Sequence, residues 1–223
     1  MWLRRLGTVL LVAGSLAVVD GVLTIAWREP ATAYLAWRDQ VRLRHDFDAR
    51  LARHPGVLAS LGDAPPDLRA LARAERREIG PHTPIARLRI PEIGLAVIVA
   101  EGTHDDAEQI VRDSLKEGPA HLPLSGLPGE GRTVAVAGHR TTYGAPFRHL
   151  DDLDPGDAIT LQTTYGRFAY RVSSVRVVRP EDIAVLADVP GRERLVLSAC
   201  HPVYSAARRI VVSADLERTQ VTA

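Results

Sequence analysis

Lysine, cysteine and net charge are nearly absent from this chain of 223 residues. Lys116 is its only lysine, and 28 Lys and Arg residues almost balance 27 Asp and Glu residues, for a formal charge of +1. No overall field draws such a chain onto nucleic acid, and no nucleic-acid partner is expected. The preference for arginine reads as base composition rather than function. A single cysteine, Cys200, excludes an intrachain disulfide and a cysteine-rich zinc site. A lone thiol leaves two readings, a small buried hydrophobe or a reactive group. Apolar residues make up 46% of the chain, enough for a core, and the length allows one ordinary domain with additional segments.

Leu6 to Trp27 is apolar apart from small residues, Thr8, Ser15, Thr24 and one acid, Asp20. About 20 such residues span a bilayer core, which predicts an uncleaved membrane anchor over residues 1–28. Asp20 at the bilayer centre would cost about 2.5–3.5 kcal/mol, and less in the outer half of the span where it falls. A cleaved signal peptide is the alternative, since Ala31-Thr32-Ala33 has the A-x-A form, but the apolar run is long for a signal peptide. Arg28, Arg38, Arg42 and Arg44 outnumber Arg4 and Arg5, so the arginine count does not by itself place the C-terminus outside.

Residues 34 to 53 read as a helix with a narrow apolar stripe, Leu43, Phe47 and Leu51, closed by His54-Pro55-Gly56. It is expected to be a stalk, with a partner helix or lipid contact as the alternative. Gly62-Asp63-Ala64-Pro65-Pro66 reads as a linker, and Asp67 caps a short charged helix through about Glu78. Residues 29–81 thus form a helical stalk and linker, closed by Gly80-Pro81.

From Thr83 onward the texture is that of short strands. Ile85–Ile90 alternates, Pro91-Glu92-Ile93-Gly94 turns the chain, and Leu95–Ala100 follows. Asp105–Val111 reads as a short helix and Gly118–Gly131 as a long loop. Strands are expected at Thr133–Ala137, Ala158–Thr163, Arg167–Val177, Arg194–Ala199 and Arg209–Ala214, with a Pro-Gly turn at Asp154–Asp157. A mainly β fold follows, a barrel or a sandwich. It occupies residues 82–217 ahead of a polar tail, 218–223, that predicts no second membrane span.

A thiol nucleophile needs a base and a donor for the oxyanion. Ala137-Gly138-His139-Arg140-Thr141 puts a histidine just past a strand. Leu197-Ser198-Ala199-Cys200-His201-Pro202 puts the cysteine at a strand end, where the following His-Pro is expected to carry the chain out of the sheet at once. Arg208-Arg209 opens the last strand. Strand ends hold side chains rigidly while leaving them accessible. Each residue also has a structural reading: core filler for Cys200, an edge charge for the arginine.

The segment from Gly138-His139-Arg140-Thr141 through Tyr143-Gly144-Ala145-Pro146-Phe147 closely resembles the histidine loop of sortases. So does Cys200-His201-Pro202 through Ser205-Ala206-Ala207-Arg208-Arg209, and Phe147, Leu150, Leu153, Gly156-Asp157 and Ile159 extend the match. The wording is most like class E of actinobacteria and covers about residues 83 to 217. The resemblance implies a closed barrel of about eight strands, with His139 and Cys200 as the catalytic pair. The class E arginine stands nine positions after the cysteine, which selects Arg209 over Arg208. The implied reaction is cleavage of an LPXTG- or LAXTG-type sorting signal between Thr and Gly through a Cys200 thioester. The acyl group then passes to an amine of a cell-wall precursor, on lipid II or peptidoglycan. No metal or organic cofactor is implied. The partners are secreted proteins bearing the signal, the amine acceptor, and membrane lipid around the anchor. That chemistry requires the catalytic domain to lie outside a single-pass cell-membrane anchor.

The chain departs from the family pattern in two places. The cysteine motif, normally Thr-Leu-x-Thr-Cys, is Val196-Leu197-Ser198-Ala199-Cys200 here, and a hydrogen bond to substrate worth ~1 kcal/mol is expected to be missing at Ala199. Leu122 follows Gly118-Pro119-Ala120-His121 where class E members tend to carry tyrosine, which leaves LPXTG and LAXTG both open. A pilin-polymerising sortase is an alternative, but the Asp-Pro-aromatic lid of that type is missing. An inactive sortase-like binding module is another, which the intact His139, Cys200 and Arg209 oppose. Asp151, Asp152, Asp154 and Asp157 read as turn and capping acids rather than a calcium site, and the His201 side chain is expected to point away from Cys200.

Overall fold

A computed structural model of the chain describes residues 2–27, 30–53, 67–103 and 113–221. The expected helix at Asp105–Val111, the stop at His54–Gly56 and the linker at Gly62–Pro66 lie outside these. Eight strands appear among the described residues: β1 (Pro84–Ile90), β2 (Leu95–Glu101), β3 (Ala120–His121), β4 (Thr133–Ala137), β5 (Ala158–Gln162), β6 (Gly166–Val178), β7 (Arg194–His201) and β8 (Arg208–Val221). They close into a barrel in the order β1-β2-β3-β4-β7-β8-β6-β5, with β5 pairing back onto β1. Of the two all-β alternatives, the chain adopts the barrel, which leaves no open sheet edge.

Alternation along the strands decides which residues face in. Leu195, Leu197 and Ala199 of β7, Ile210, Val212 and Ala214 of β8, and Val134 and Val136 of β4 are buried in one cluster with Leu88, Ile159, Phe168 and Tyr170. Each large apolar side chain removed from water contributes about 1.5–3 kcal/mol. Successive strand residues face opposite sides, so Val196, Ser198 and Cys200 of β7 all face outward.

Three strand boundaries differ from expectation. β7 continues through Cys200 to His201, because His201 still pairs with Arg208 across the sheet; the cysteine does not leave its strand. β8 extends past Ala214 to Val221, pairing with β6 down to Gly166. Backbone pairing needs no apolar pattern, so the polar run Glu217–Gln220 gave no strand signal. The two-residue β3 lies inside the Gly-Pro-rich stretch, held between β2 and β4. The turn after β1 is as expected: Pro91–Ile93 forms a short 3-10 turn closed by Gly94 at φ 63°, a left-handed conformation that suits glycine.

Among the described residues three helices precede the barrel. α1 spans Trp2–Trp27. Among the described residues no helix is long and apolar enough to cross a membrane, so the fold does not itself establish the anchor expected there, and the side chain of Asp20 lies outside the described residues. α2 (Pro30–Arg53) starts earlier than its stripe predicted and packs on β1 and β2. Leu43 and Phe47 are buried against Ile98 and Ala100. Gln40 bonds the main chain of Ile98 both ways, at 2.8 and 3.0 Å, and that of Glu117 at 2.9 Å. The Arg87 guanidinium lies over the Phe47 ring at 5.4 Å. The partner of the apolar stripe is therefore the barrel itself. α3 (Leu68–Glu78) begins at Asp67, whose carboxylate accepts from the Arg69 and Ala70 N–H groups, the cap read from sequence. Arg50 of α2 meets Glu75 of α3 at 2.8 Å, and Thr164 donates to the other Glu75 oxygen at 3.0 Å.

Phe47 is fully buried, so Phe47→Ala is expected to destabilise the docked helix by about 3 kcal/mol. Urea unfolding of the full chain in detergent reads this as a lower midpoint; an unchanged midpoint would show that α2 is not part of the cooperative unit. A Cβ on Gly138 would lie 2.6 Å from the buried Phe147 ring, so Gly138→Ala is expected to lose ~1–3 kcal/mol by overpacking.

Candidate functional site

The end of β7, the start of β8 and the loop after β4 meet at a cleft of about 570 Å³ on the outer face of the barrel. Its lining includes His139, Cys200 and Arg209, so the three residues singled out from sequence share one cavity. The sheet register explains this. Cys200 and Arg209 are directly opposite in the antiparallel β7–β8 pair. Opposed side chains emerge on the same face, with Cβ atoms about 4.5–5.5 Å apart. Arg208 is opposite His201 and so belongs to the other face. The choice between the two arginines, which the sequence approached by counting, thus has a geometric reason.

His139 arrives from the neighbouring strand. β4 runs parallel to β7 with Ala137 beside Ser198, and the Gly138 N–H continues the ladder to the Ser198 carbonyl at 3.0 Å. One residue further on, His139 lies next to the level of Cys200. Its loop is pinned from behind: the Phe147 N–H donates to the His139 carbonyl at 2.9 Å, and the Phe147 ring packs against Gly138 in the barrel core. The Tyr143 ring stacks on the imidazole at 5.2 Å between centroids, 23° from parallel. Tyr143 itself has φ 51°, and its N–H donates to the Thr32 hydroxyl of α2 at 3.2 Å. Burial under this cover holds the His139 imidazole below its ordinary value of 6.5. Its Nε2 is buried with no hydrogen-bond partner among the described residues. Cys200 is half-buried and a free thiol. The Arg209 guanidinium folds back on its own loop, donating to the carbonyls of Ala206 and Arg208 at 3.0 and 3.1 Å.

The rest of the cleft is mostly apolar, walled by Leu115, Leu122, Ile183, Leu186, Val196 and Val211, with Arg179, Asp182 and Ser198 as its polar members. Leu122 is carried there by a buried brace. Nδ1 of His121, which is fully buried, lies 2.7 Å from the Glu101 carboxylate, and its Nε2 lies 2.9 Å from the Gly126 carbonyl. Ile183 and Leu186 sit on a 3-10 turn between β6 and β7 and had no distinguishing signal in the sequence.

Ala199 serves two surroundings. Its methyl is part of the barrel core, 4% exposed, and the residue also lines the cleft, where it offers no hydroxyl. Val196, the other departure in the cysteine motif, lines the cleft as well. Three of the aspartates after the histidine loop have side-chain partners. Asp151 pairs with Arg140, Asp152 lies 2.8 Å from His149 Nδ1, and Asp157 accepts from the Asp154 N–H at 2.8 Å. No metal-binding cluster occurs among the described residues. His201 points away from the cleft, and Arg140, which the sequence did not single out, meets it there at 2.9 Å.

Known proteins resemble this chain in sequence and in fold. A family model described as "Sortase domain" matches residues 88–217. The chain is 31% identical over 128 residues to sortase D of Bacillus subtilis, covering 56% of this chain and 60% of that protein. It is 31% identical over 140 residues to sortase SrtE1 of Streptomyces coelicolor, covering 57% of this chain and 38% of that one. The chain thus spans less than two thirds of these curated relatives. The structure of sortase E from Streptomyces avermitilis superposes with a TM-score of 0.54 at 31% identity, over 63% of this chain and 92% of that one. With the family model covering more than half of a chain that closes into this eight-stranded barrel, the chain belongs to the sortase family.

Proposed function

We propose that this chain is a membrane-anchored sortase that cleaves an LPXTG- or LAXTG-type signal between Thr and Gly and transfers the acyl group to an amine of a cell-wall precursor, on lipid II or peptidoglycan. The observation that carries the reading is the register that sets Cys200 opposite Arg209 on the cleft, with His139 beside them. The apolar walls suit a short extended peptide with a leucine side chain to bury. The Cys200 thiolate attacks the Thr carbonyl carbon, and the oxyanion that forms is held by the Arg209 guanidinium. As the C–N bond to glycine breaks, His139 in its protonated form gives its proton to the departing amine. The thioester remains on Cys200. An acceptor amine then attacks it, His139 takes a proton from that amine, and the thiolate is released.

The anchor over residues 1–28 is supported by its run of apolar residues and by the exposure of Val9, Leu10, Leu11, Leu16, Val18 and Val19, which nothing else in the described chain covers. With the proposed signal and acceptor both outside the cell, this reading also sets the barrel on the outer side of the membrane.

Incubation of the full chain with LPXTG and LAXTG peptides is expected to give a covalent mass adduct on Cys200, released by an added amine. Cys200→Ala is expected to give none; an adduct-free wild type with both peptides, or a cleaving Cys200→Ala, would reject the reading. Arg209→Ala is expected to slow acylation by about 10²–10³-fold, the usual loss of an oxyanion donor.

The lowered His139 value sets a direction for pH. An unfolded imidazole takes up a proton near pH 6.5 while the folded one resists. Stability from this group is full above the unfolded value and is lost as the pH falls through it to the folded value. NMR titration of the His139 imidazole is expected to give a midpoint below 6.5, and Tyr143→Ala, which uncovers the ring, is expected to raise it. A midpoint at or above 6.5 in the unaltered chain would contradict the burial account.

A further inference from the structure

Behind the cleft, on the inner side of the β7–β8 end, lies a buried guanidinium. Arg140 is 2% exposed. Its Nε and Nη2 both donate to the Arg148 carbonyl, at 3.1 and 2.9 Å. Nη2 also pairs with the Asp151 carboxylate, and Nη1 donates to His201 Nδ1 at 2.9 Å. Nδ1 must accept from a guanidinium, which has no acceptor of its own, so the proton of this neutral imidazole sits on Nε2. A buried charge that lost these partners would cost several kcal/mol, so the arrangement is a strongly held one.

The chain positions give the cluster its meaning. Arg140 immediately follows His139, and His201 immediately follows Cys200. The hydrogen bond between Arg140 and His201 therefore joins the two segments that carry the candidate base and nucleophile, one residue beyond each. Beside it, the ladder between β4 and β7 ends on the Gly138 to Ser198 bond. Arg148 and Asp151, at the far end of the histidine loop, close the same loop onto the same guanidinium.

We propose that Arg140 is a positioning residue for the reacting pair: by binding the Arg148 carbonyl, Asp151 and His201 together, it fixes the His139 loop against the Cys200 strand end. This rests on the reading of His139 and Cys200 as that pair. Asp151 supplies the counter-charge. Its carboxyl is partly desolvated by burial, yet the Arg140 hydrogen bond and charge hold it below the usual range. The other charged group facing His201 is Arg208, opposite it in the sheet. His201 thus has a task, though not that of a base.

Because Cys200 is the only cysteine, its alkylation by iodoacetamide reads the pair without any peptide. The pH profile of that rate is measured for the full chain and for His139→Ala, Arg140→Met, His201→Leu and His201→Asn. Asn is the conservative variant, since its side-chain carbonyl can accept from Arg140 where Nδ1 did. The wild-type profile is expected to carry an inflection that His139→Ala removes. Arg140→Met and His201→Leu are expected to shift the profile by at least half a pH unit toward that of His139→Ala, with His201→Asn staying near wild type. On whichever of the LPXTG and LAXTG peptides is turned over, the first two are expected to lower kcat at least tenfold with KM within about twofold. The double variant is expected to be no worse than either single one, the pattern of residues acting as a unit. Wild-type alkylation profiles in Arg140→Met and His201→Leu, with only the melting temperature lowered, would overturn the proposal and leave Arg140 a structural residue. If Arg140→Met does not fold, His201→Leu against His201→Asn decides alone. Failure of both peptides would reject the proposed function, while the alkylation profiles would still decide the positioning claim.

Discussion

The register between β7 and β8 is the constraint on which the site depends. A strand side chain has only two faces to choose from, and slipping one residue inverts the choice for the whole strand. In the observed register Leu195, Leu197 and Ala199 fill the core while Cys200 emerges opposite Arg209. The apolar face that stabilises the barrel therefore also determines that Cys200 and Arg209 emerge on the same outer face. A slip would expose core side chains, each worth about 1.5–3 kcal/mol when buried, so the geometry of the site is protected by the stability of the fold.

Around that register the loops are fastened by buried polar groups rather than left to solvent. Arg140 closes the histidine loop behind the cleft, and the Phe147 ring against Gly138 anchors it from within. Glu101 and His121 brace the turn that presents Leu122. The first turns of α2 reach the same loop through Thr32 and Tyr143. The helix that follows the proposed anchor thus touches the cover of the candidate base, so the pre-barrel segment is part of the site's surroundings.

Much of this was legible in the sequence because it rests on local chemistry. Apolar patterning located seven of the strands closely enough to place the cleft, Asp67 announced the start of α3, and His139, Cys200 and Arg209 share one cavity. What was not legible depends on pairing across the chain. β3 is two residues held by its neighbours, and β8 runs on through polar residues because backbone groups alone pair it to β6. That Ala199 belongs to the core and to the cleft wall at once, beside Val196, follows from the closed sheet and not from the motif. Arg140 gave no signal in the sequence because its burial beside His201 comes from the fold.

The most direct test is the structure of the full chain with a sorting-signal peptide analogue joined to Cys200 through a disulfide at the position of the Thr carbonyl. The account predicts that the analogue lies in the cleft walled by Leu122 and Val196, with the carbonyl-equivalent oxygen within hydrogen-bond reach of the Arg209 guanidinium and His139 on its leaving-group side. A carbonyl-equivalent oxygen turned to solvent, or approached by Arg208 in place of Arg209, would contradict it.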